Sequence, residues 1–198
     1  MDIKNLAQFS DEELVELIRE RGSKDDRPFA ELFQRHQAGV WRTCYSYAGN
    51  THDAEDLSQE VFFKVYRGLA RFESRSAFKT WLFRITVNTC RNALRKKKRE
   101  PALAAAAVEE YEESLPGDRL DNGEAERLSR RQLLKEALTG IKAGDREAVY
   151  LRDVEGRSFE DIAAILDINL SAAKMRVYRS RLAIQKKYRM LDEDQENR

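Results

Sequence analysis

The chain has 198 residues, enough for one domain or two small ones. Its 36 Lys and Arg nearly balance 35 Asp and Glu, leaving a net charge of +1, so only local charge can speak for or against a nucleic-acid partner. Three prolines and nine glycines, set against abundant Leu, Ala, Glu, Lys and Arg, predict an all-α protein. No apolar run approaches membrane-spanning length, and the opening Met1-Asp2-Ile3-Lys4-Asn5 lacks a signal-peptide core, which predicts a cytoplasmic protein without membrane insertion. Cys44 and Cys90 have no CxxC partner and fall in apolar helical patterns, so both are expected as reduced core residues.

In chain order, Ser10-Asp11-Glu12-Glu13 is a capping box opening a helix to about Arg21, with Gly22 as its stop. A second helix is expected from about 26 to 48, with Phe29, Leu32, Phe33, His36, Val40, Trp41 and Cys44 inward. His36 belongs to that stripe and reads as a core imidazole rather than a ligand. Asn50 or Thr51 caps the third helix, where Ala54, Leu57, Val61, Phe62, Val65, Tyr66 and Leu69 share one broad arc. The other arc carries Asp53, Asp56, Gln59, Glu60, Lys64 and Arg67 with Phe63 among them. A large aromatic in a polar stripe suits a docking surface; a solvated face with one stray Phe is the competing reading.

Residues 71–77 break the pattern, and Ser76 can cap the next helix, from 77 to about 99. There Phe78, Trp81, Leu82, Ile85 and Thr89 form one side, and Phe83, Val87, Cys90 and Leu94 a nearly opposite one. Between them run Arg84, Arg91, Arg95 and Lys98, with Trp81 and Asn88 at the edge; from Arg84 to Arg99 there are seven basic residues and no acid. This is either a solvated face or a surface for a single strand, with phosphates on the cations and bases on the rings. Residues 100–127 read as a flexible acidic linker: positions 109–126 hold eight acids against Arg119, with Pro116-Gly117 and Asn122-Gly123 as breakers.

The last domain begins near Leu128. Leu134, Ala137, Leu138 and Ile141 mark one helix, residues 145–154 another closed by Gly156, and Ser158 caps a short helix through Leu166 with Phe159, Ile162, Ala163 and Leu166 inward. A turn at 167–170 leads to Ser171 as the expected cap of a long helix ending near Leu191, followed by a polar tail, 192–198. Asp167 stands where a left-handed turn residue is needed, and Asp tolerates that region better than most. Ala173, Val177, Ile184, Tyr188 and Leu191 face inward; Ala172, Met175, Arg179 and Lys186 point away, and residues 171–189 contain seven Lys or Arg and no acid. Short helix, tight turn and basic helix make a helix-turn-helix, whose second helix enters the major groove by its first turns. Lys174, Met175, Arg176, Tyr178 and Arg179 are therefore the expected DNA contacts, Arg179 the best placed for a guanine edge, with Lys186, Lys187 and Arg189 further out.

Residues 53–62, Asp-Ala-Glu-Asp-Leu-Ser-Gln-Glu-Val-Phe, resemble the core-binding helix of the extracytoplasmic-function (ECF) sigma factors of bacterial RNA polymerase. The resemblance continues through 78–88 and 94–99, which are similar to that family's promoter-melting and −10 segment, and through 171–181, similar to its −35 recognition helix; Asn92 and Ala172 stand where the family often has Asp and Thr. It implies an alternative sigma factor. Residues 1–99 would bind core polymerase and the −10 element, 100–127 would be a linker threading the polymerase cleft, and 128–191 would bind the −35 element. Asp56, Gln59, Glu60 and Phe63 would dock on the β′ clamp helices. Phe72, Trp81, Arg84, Asn88, Arg91 and Arg95 would engage the −10 strand, with a flipped base held by the loop 72–77. The β flap, promoter DNA and an anti-sigma factor are the other implied partners.

A stand-alone helix-turn-helix regulator is the alternative, but it leaves the basic-aromatic helix without a purpose. An enzyme would need a site: Asp53, Asp56 and Glu60 share a face, yet neither His36 nor His52 supplies a Glu-x-x-His pair, and there is no phosphate loop or nucleophile–base pattern. No catalytic residue, metal or cofactor is expected.

Overall fold

The computed structural model describes residues 6–21, 25–74, 76–97, 138 and 140–196. Every regular element among them is helical: α1 (Asp11–Arg21), α2 (Arg27–Ala48), α3 (Thr51–Gly68), α4 (Phe78–Lys97), α5 (Ala143–Val149), α6 (Phe159–Leu166) and α7 (Leu170–Glu196). Single 3-10 turns stand at Leu6–Gln8 and Leu69–Arg71, and a π turn, Tyr150–Val154, continues α5. The chain divides into two units, one within Met1–Lys98 and one within Arg99–Arg198. The Gly22 stop, Lys98, the linker 100–127, the boundaries near 99 and 128, Leu134, Ala137 and the side chains of Tyr188 and Leu191 lie outside the described residues.

In the first unit, α2, α3 and α4 pack on one another and α1 lies across α2 and α4. The capping box forms as its spacing predicts: Ser10 N–H donates to Glu13 Oε2 (2.7 Å) and Glu13 N–H to Ser10 Oγ (3.2 Å). Helix α2 ends at Gly49, whose φ of 72° suits glycine. Asn50, not Thr51, caps α3, accepting from Asp53 N–H at 2.9 Å. The core is Leu14, Val15, Leu32, Val40, Ala54, Val61, Val65, Leu69, Phe78, Leu82, Phe83 and Val87, with Cys44 and Cys90 both free and buried, their sulfurs 3.8 Å apart. Two expected core residues sit elsewhere. Phe33 and Tyr66 are 40% and 43% exposed, because they lie at the margins of the α2–α3 seam: Phe33 rests on the Phe62 ring and Tyr66 meets Phe29 edge-on, each with its outer side open.

Three buried threonines let α4 pass through the core without stranded polar groups. Thr86 Oγ1 donates to Leu82 O (3.0 Å), Lys64 Nζ donates to Thr89 Oγ1 (3.1 Å), and Thr80 is also engaged. Trp81 lies over Gly68 so closely that a Cβ there would come within 2.9 Å of the indole. Its ring also meets Phe72 and Phe78 at centroid distances of 4.9 and 6.0 Å.

In the second unit, Gly156 takes the left-handed conformation expected of it (φ 64°) and Asp167 does the same at the end of α6 (φ 55°, ψ 55°). Ser158 caps α6, accepting from Asp161 N–H at 3.0 Å. The long helix differs at both ends from its sequence reading. Asn169 is its cap, with Oδ1 accepting from Ala172 N–H (2.7 Å), so Ser171 falls inside the first turn; and the helix runs on to Glu196, past the expected stop near Leu191. Asn and Ser are comparable caps, so starting at the earlier one gains intrahelical bonds at no capping loss. Ile162, Ile165, Leu166, Ala173, Val177 and Ile184 close the core with Val149 and Leu151. No helix among the described residues is long and apolar enough to cross a membrane.

A polar cluster ties α1 to α2. His36 Nε2 lies 2.7 Å from Asp11 Oδ2, and Arg35 donates to Asp11 (3.1 Å), Glu31 (2.8 Å) and the carbonyls of Leu6, Ala7 and Phe9. Burial pushes the Asp11 carboxyl up, but hydrogen bonds and charge from His36 and Arg35 outweigh it and hold Asp11 below the ordinary carboxylate range. A depressed carboxylate stabilises above its unfolded pKa, and that stability is lost as pH falls through the folded value. Both tryptophans, Trp41 and Trp81, lie in this unit, so their fluorescence follows it within the full chain. In urea titrations at pH 7, Asp11→Asn should destabilise the unit by roughly 1–3 kcal/mol. The gap to wild type should close below about pH 4, and equal stability at pH 7 would contradict the role assigned to the cluster.

Candidate functional site

The polar face of α3 forms as the spacing predicts. Asp56, Gln59, Glu60 and Phe63 are all exposed on it, Phe63 by 60%. Its charges are locally balanced: His52 lies 3.9 Å from Asp56, Lys64 2.6 Å from Glu60, and the Arg67 guanidinium 5.4 Å above the Phe63 ring. Exposed pairs of this kind are worth well under about 1 kcal/mol each, so a partner can exchange them at little cost. Beside this face an open groove of about 500 Å³ runs between α2 and α3, lined by Phe33, Gln37, Trp41, Glu55, Ser58 and Gln59 among others. The inward reading of Phe33 and Trp41 hid the groove, which appears only once α2 and α3 are packed.

On α4, the side chains at 81, 84, 88, 91 and 95 share one strip. Arg84, Asn88 and Arg95 are exposed, and Trp81 and Arg91 half-buried. Arg95 Nη1 makes a long contact with Asn92 Oδ1 (3.5 Å), so the acceptor retained at Asn92 serves this strip. Phe72 is placed differently. At 4% exposure, its ring packs against Phe78 and Trp81 rather than standing open to a base. Ser74, in the same loop, takes a left-handed φ of 52°, uncommon for a residue with a side chain.

On α7, Lys174, Met175, Tyr178 and Arg179 are exposed on one side, and Arg176 is half-buried. Arg179 is not a free-swinging cation. Asp145, itself buried, holds it through Nε (2.9 Å) and Nη2 (2.8 Å), which raises the guanidinium pKa further and leaves Nη1 outside the pair. The Asp145 carbonyl also accepts from Ser180 Oγ (2.8 Å), and Arg176 comes within 4.0 Å of the same carboxylate. Lys174 and Arg152 approach the Phe159 ring at 6.0 and 4.6 Å, linking α6 to the start of the basic helix. Asp145 was missed because its partner, Arg179, lies 34 positions away in sequence. Among the described residues no group of three or more His, Cys, Asp or Glu could hold a metal ion.

Both units are similar to known proteins. The model for sigma-70 region 2 matches residues 32–100, and that for sigma-70 region 4 matches residues 131–184. The ECF RNA polymerase sigma-E factor of Escherichia coli K12 is 34% identical over 189 residues, covering 93% of this chain and 97% of its own. The RNA polymerase sigma-H factor of Pseudomonas aeruginosa is 33% identical over 187 residues, with 91% and 95% covered. Among solved structures, the sigma factor RpoE of Bartonella quintana, in complex with the anti-sigma factor NepR, superposes with a TM-score of 0.60 at 27% identity, over 81% of this chain and 96% of that one. With both sigma regions matched in order and relatives aligned over nearly their whole length, the chain belongs to the ECF sigma factors of the sigma-70 family.

Proposed function

We propose that the two units divide promoter recognition: residues 1–99 dock on core RNA polymerase and engage the −10 element, residues 128–191 read the −35 element, and residues 100–127 join them. The observation that carries this reading is the fall of the region-2 match on the first unit and the region-4 match on the second. As an ECF sigma factor the protein directs promoter-specific transcription. It does so in the cytoplasm as a recognition subunit, with no catalytic step of its own.

Docking uses Asp56, Gln59, Glu60 and Phe63, with the adjoining groove at Phe33 and Trp41. Covering Phe63 supplies the larger energy, since a fully buried Phe is worth about 1.5–3 kcal/mol. The surrounding charges set register and rate. On α4, Arg84, Asn88, Arg91 and Arg95 track the strand while Trp81 offers a stacking edge, and Phe72 keeps the loop in place. On α7, Lys174, Met175 and Tyr178 form the outward surface. Arg176 and Arg179 flank it, Arg179 reaching DNA through the part of its fork that Asp145 does not hold. The anti-sigma factor bound to the Bartonella relative supports a partner of that class here.

Charge reversal tests the docking face. Asp56→Lys should weaken association with core polymerase in a titration of labelled protein, while tryptophan fluorescence keeps its urea midpoint because the residue is exposed; unchanged affinity would remove Asp56 from the interface. The Asp145–Arg179 pair makes a sharper expectation. Arg179→Ala and Asp145→Asn should each relax holoenzyme preference at the same −35 base pair, and the double variant should add little to either, since both remove one held contact. An Asp145→Asn chain with intact preference would mean that Arg179 acts without its carboxylate.

A further inference from the structure

The region-2 match starts at residue 32, so α1 lies ahead of it, yet α1 reaches the first residue of α4, the helix that carries the basic strip. We propose that Glu12 is a positioning residue for −10 recognition, capping α4 from a distance and so setting the Phe72–Phe78–Trp81 cluster; this rests on the reading of the first unit as the −10-engaging half.

Glu12 Oε1 accepts from the backbone N–H of Phe78 at 3.0 Å, a contact across 66 positions of sequence. The first N–H groups of a helix have no partner within it, and a carboxylate there is further favoured by the helix dipole. The residue just before α4 is Ala77, which has no side-chain acceptor, so the cap comes from another helix. Its supplier is firmly seated: the neighbouring Asp11 is gripped by His36 and Arg35, which also collects the carbonyls of the turn before α1. The His36 ring lies 5.6 Å from that of Phe78, closing a circuit from α1 through α2 to the residue that Glu12 caps.

What the cap holds matters more than its own energy. Phe78 packs on Phe72 and Trp81, and Trp81 is backed by Gly68 with no room for a Cβ between them. The other end of the same segment is held by the Phe72 N–H to Leu69 O bond (3.1 Å), with Ser74 in its left-handed conformation between the two anchors. A constrained backbone persists only where its surroundings over-determine it, and ordering it beforehand spares that cost on binding. Glu12 is exposed, so its loss should free one anchor without opening the core.

The test uses holoenzyme reconstituted with wild type, Glu12→Ala and Glu12→Gln. The probe is a labelled non-template oligonucleotide carrying the −10 sequence that wild-type holoenzyme enriches from a randomised promoter pool, against a scrambled control. Glu12→Ala should lose several-fold in discrimination between probe and control while core affinity stays at the wild-type value. Glu12→Gln, which keeps an acceptor oxygen at the same reach, should restore most of the loss. Undiminished discrimination in Glu12→Ala, or an equal loss of core affinity, would overturn the inference. A wild-type holoenzyme that enriches no −10 sequence would overturn the reading of the first unit, and the inference with it.

Discussion

The burial of α4 is the constraint on which the first unit depends. Leu82, Phe83, Thr86, Val87, Thr89 and Cys90 are all nearly inaccessible, and α1, α2 and α3 each pack against this helix. Each large apolar side chain so buried is worth about 1.5–3 kcal/mol, several times what an exposed ion pair supplies. Packing therefore decides where α4 sits and how it is rotated. The strip left to solvent at 81, 84, 88, 91 and 95 is narrow, and that strip holds the cations and the indole. A helix that is core on both flanks and basic on its remaining edge presents that edge with little rotational freedom.

The second unit solves a different problem, holding a long basic helix by one side while exposing the other. Ala173, Val177 and Ile184 give the apolar seam, with Ser180 buried in the same line and bonded to the carbonyl of Asp145. Asp145 thus engages α7 twice, by its carbonyl at Ser180 and by its carboxylate at Arg179. A bidentate carboxylate–guanidinium pair has geometric specificity that a lysine could not reproduce. Arg179 is thereby held in one orientation, at the cost of committing part of its fork.

Much of this was legible in the sequence where the governing interaction is local. The Ser10 capping box, the Gly156 stop, the Ser158 cap, the left-handed Asp167 and the polar face of α3 all follow from residue types within one turn of each other. The two-sided apolar pattern of α4 was legible as well, and it correctly separates the strip of Arg84 and Arg95 from the core. The errors come from longer range. Phe33 and Tyr66 carry the hydrophobicity of core residues, but seam geometry leaves each with one open side. Phe72 stands in a loop that looked like a contact surface, whereas its ring is claimed by Phe78 and Trp81. Asp145 on Arg179 and Glu12 on Phe78 span 34 and 66 positions, and nothing in the pattern around either acid announces its partner.

On the reading proposed above, two units, joined through core polymerase, read two separate promoter elements. Selection of a randomised promoter pool by core polymerase with and without this chain tests it most directly. Enrichment is expected only when both are present, with two unlike sequence blocks at a constant spacing and no two-fold symmetry between them. A single palindromic site, or enrichment by the chain in the absence of polymerase, would contradict it.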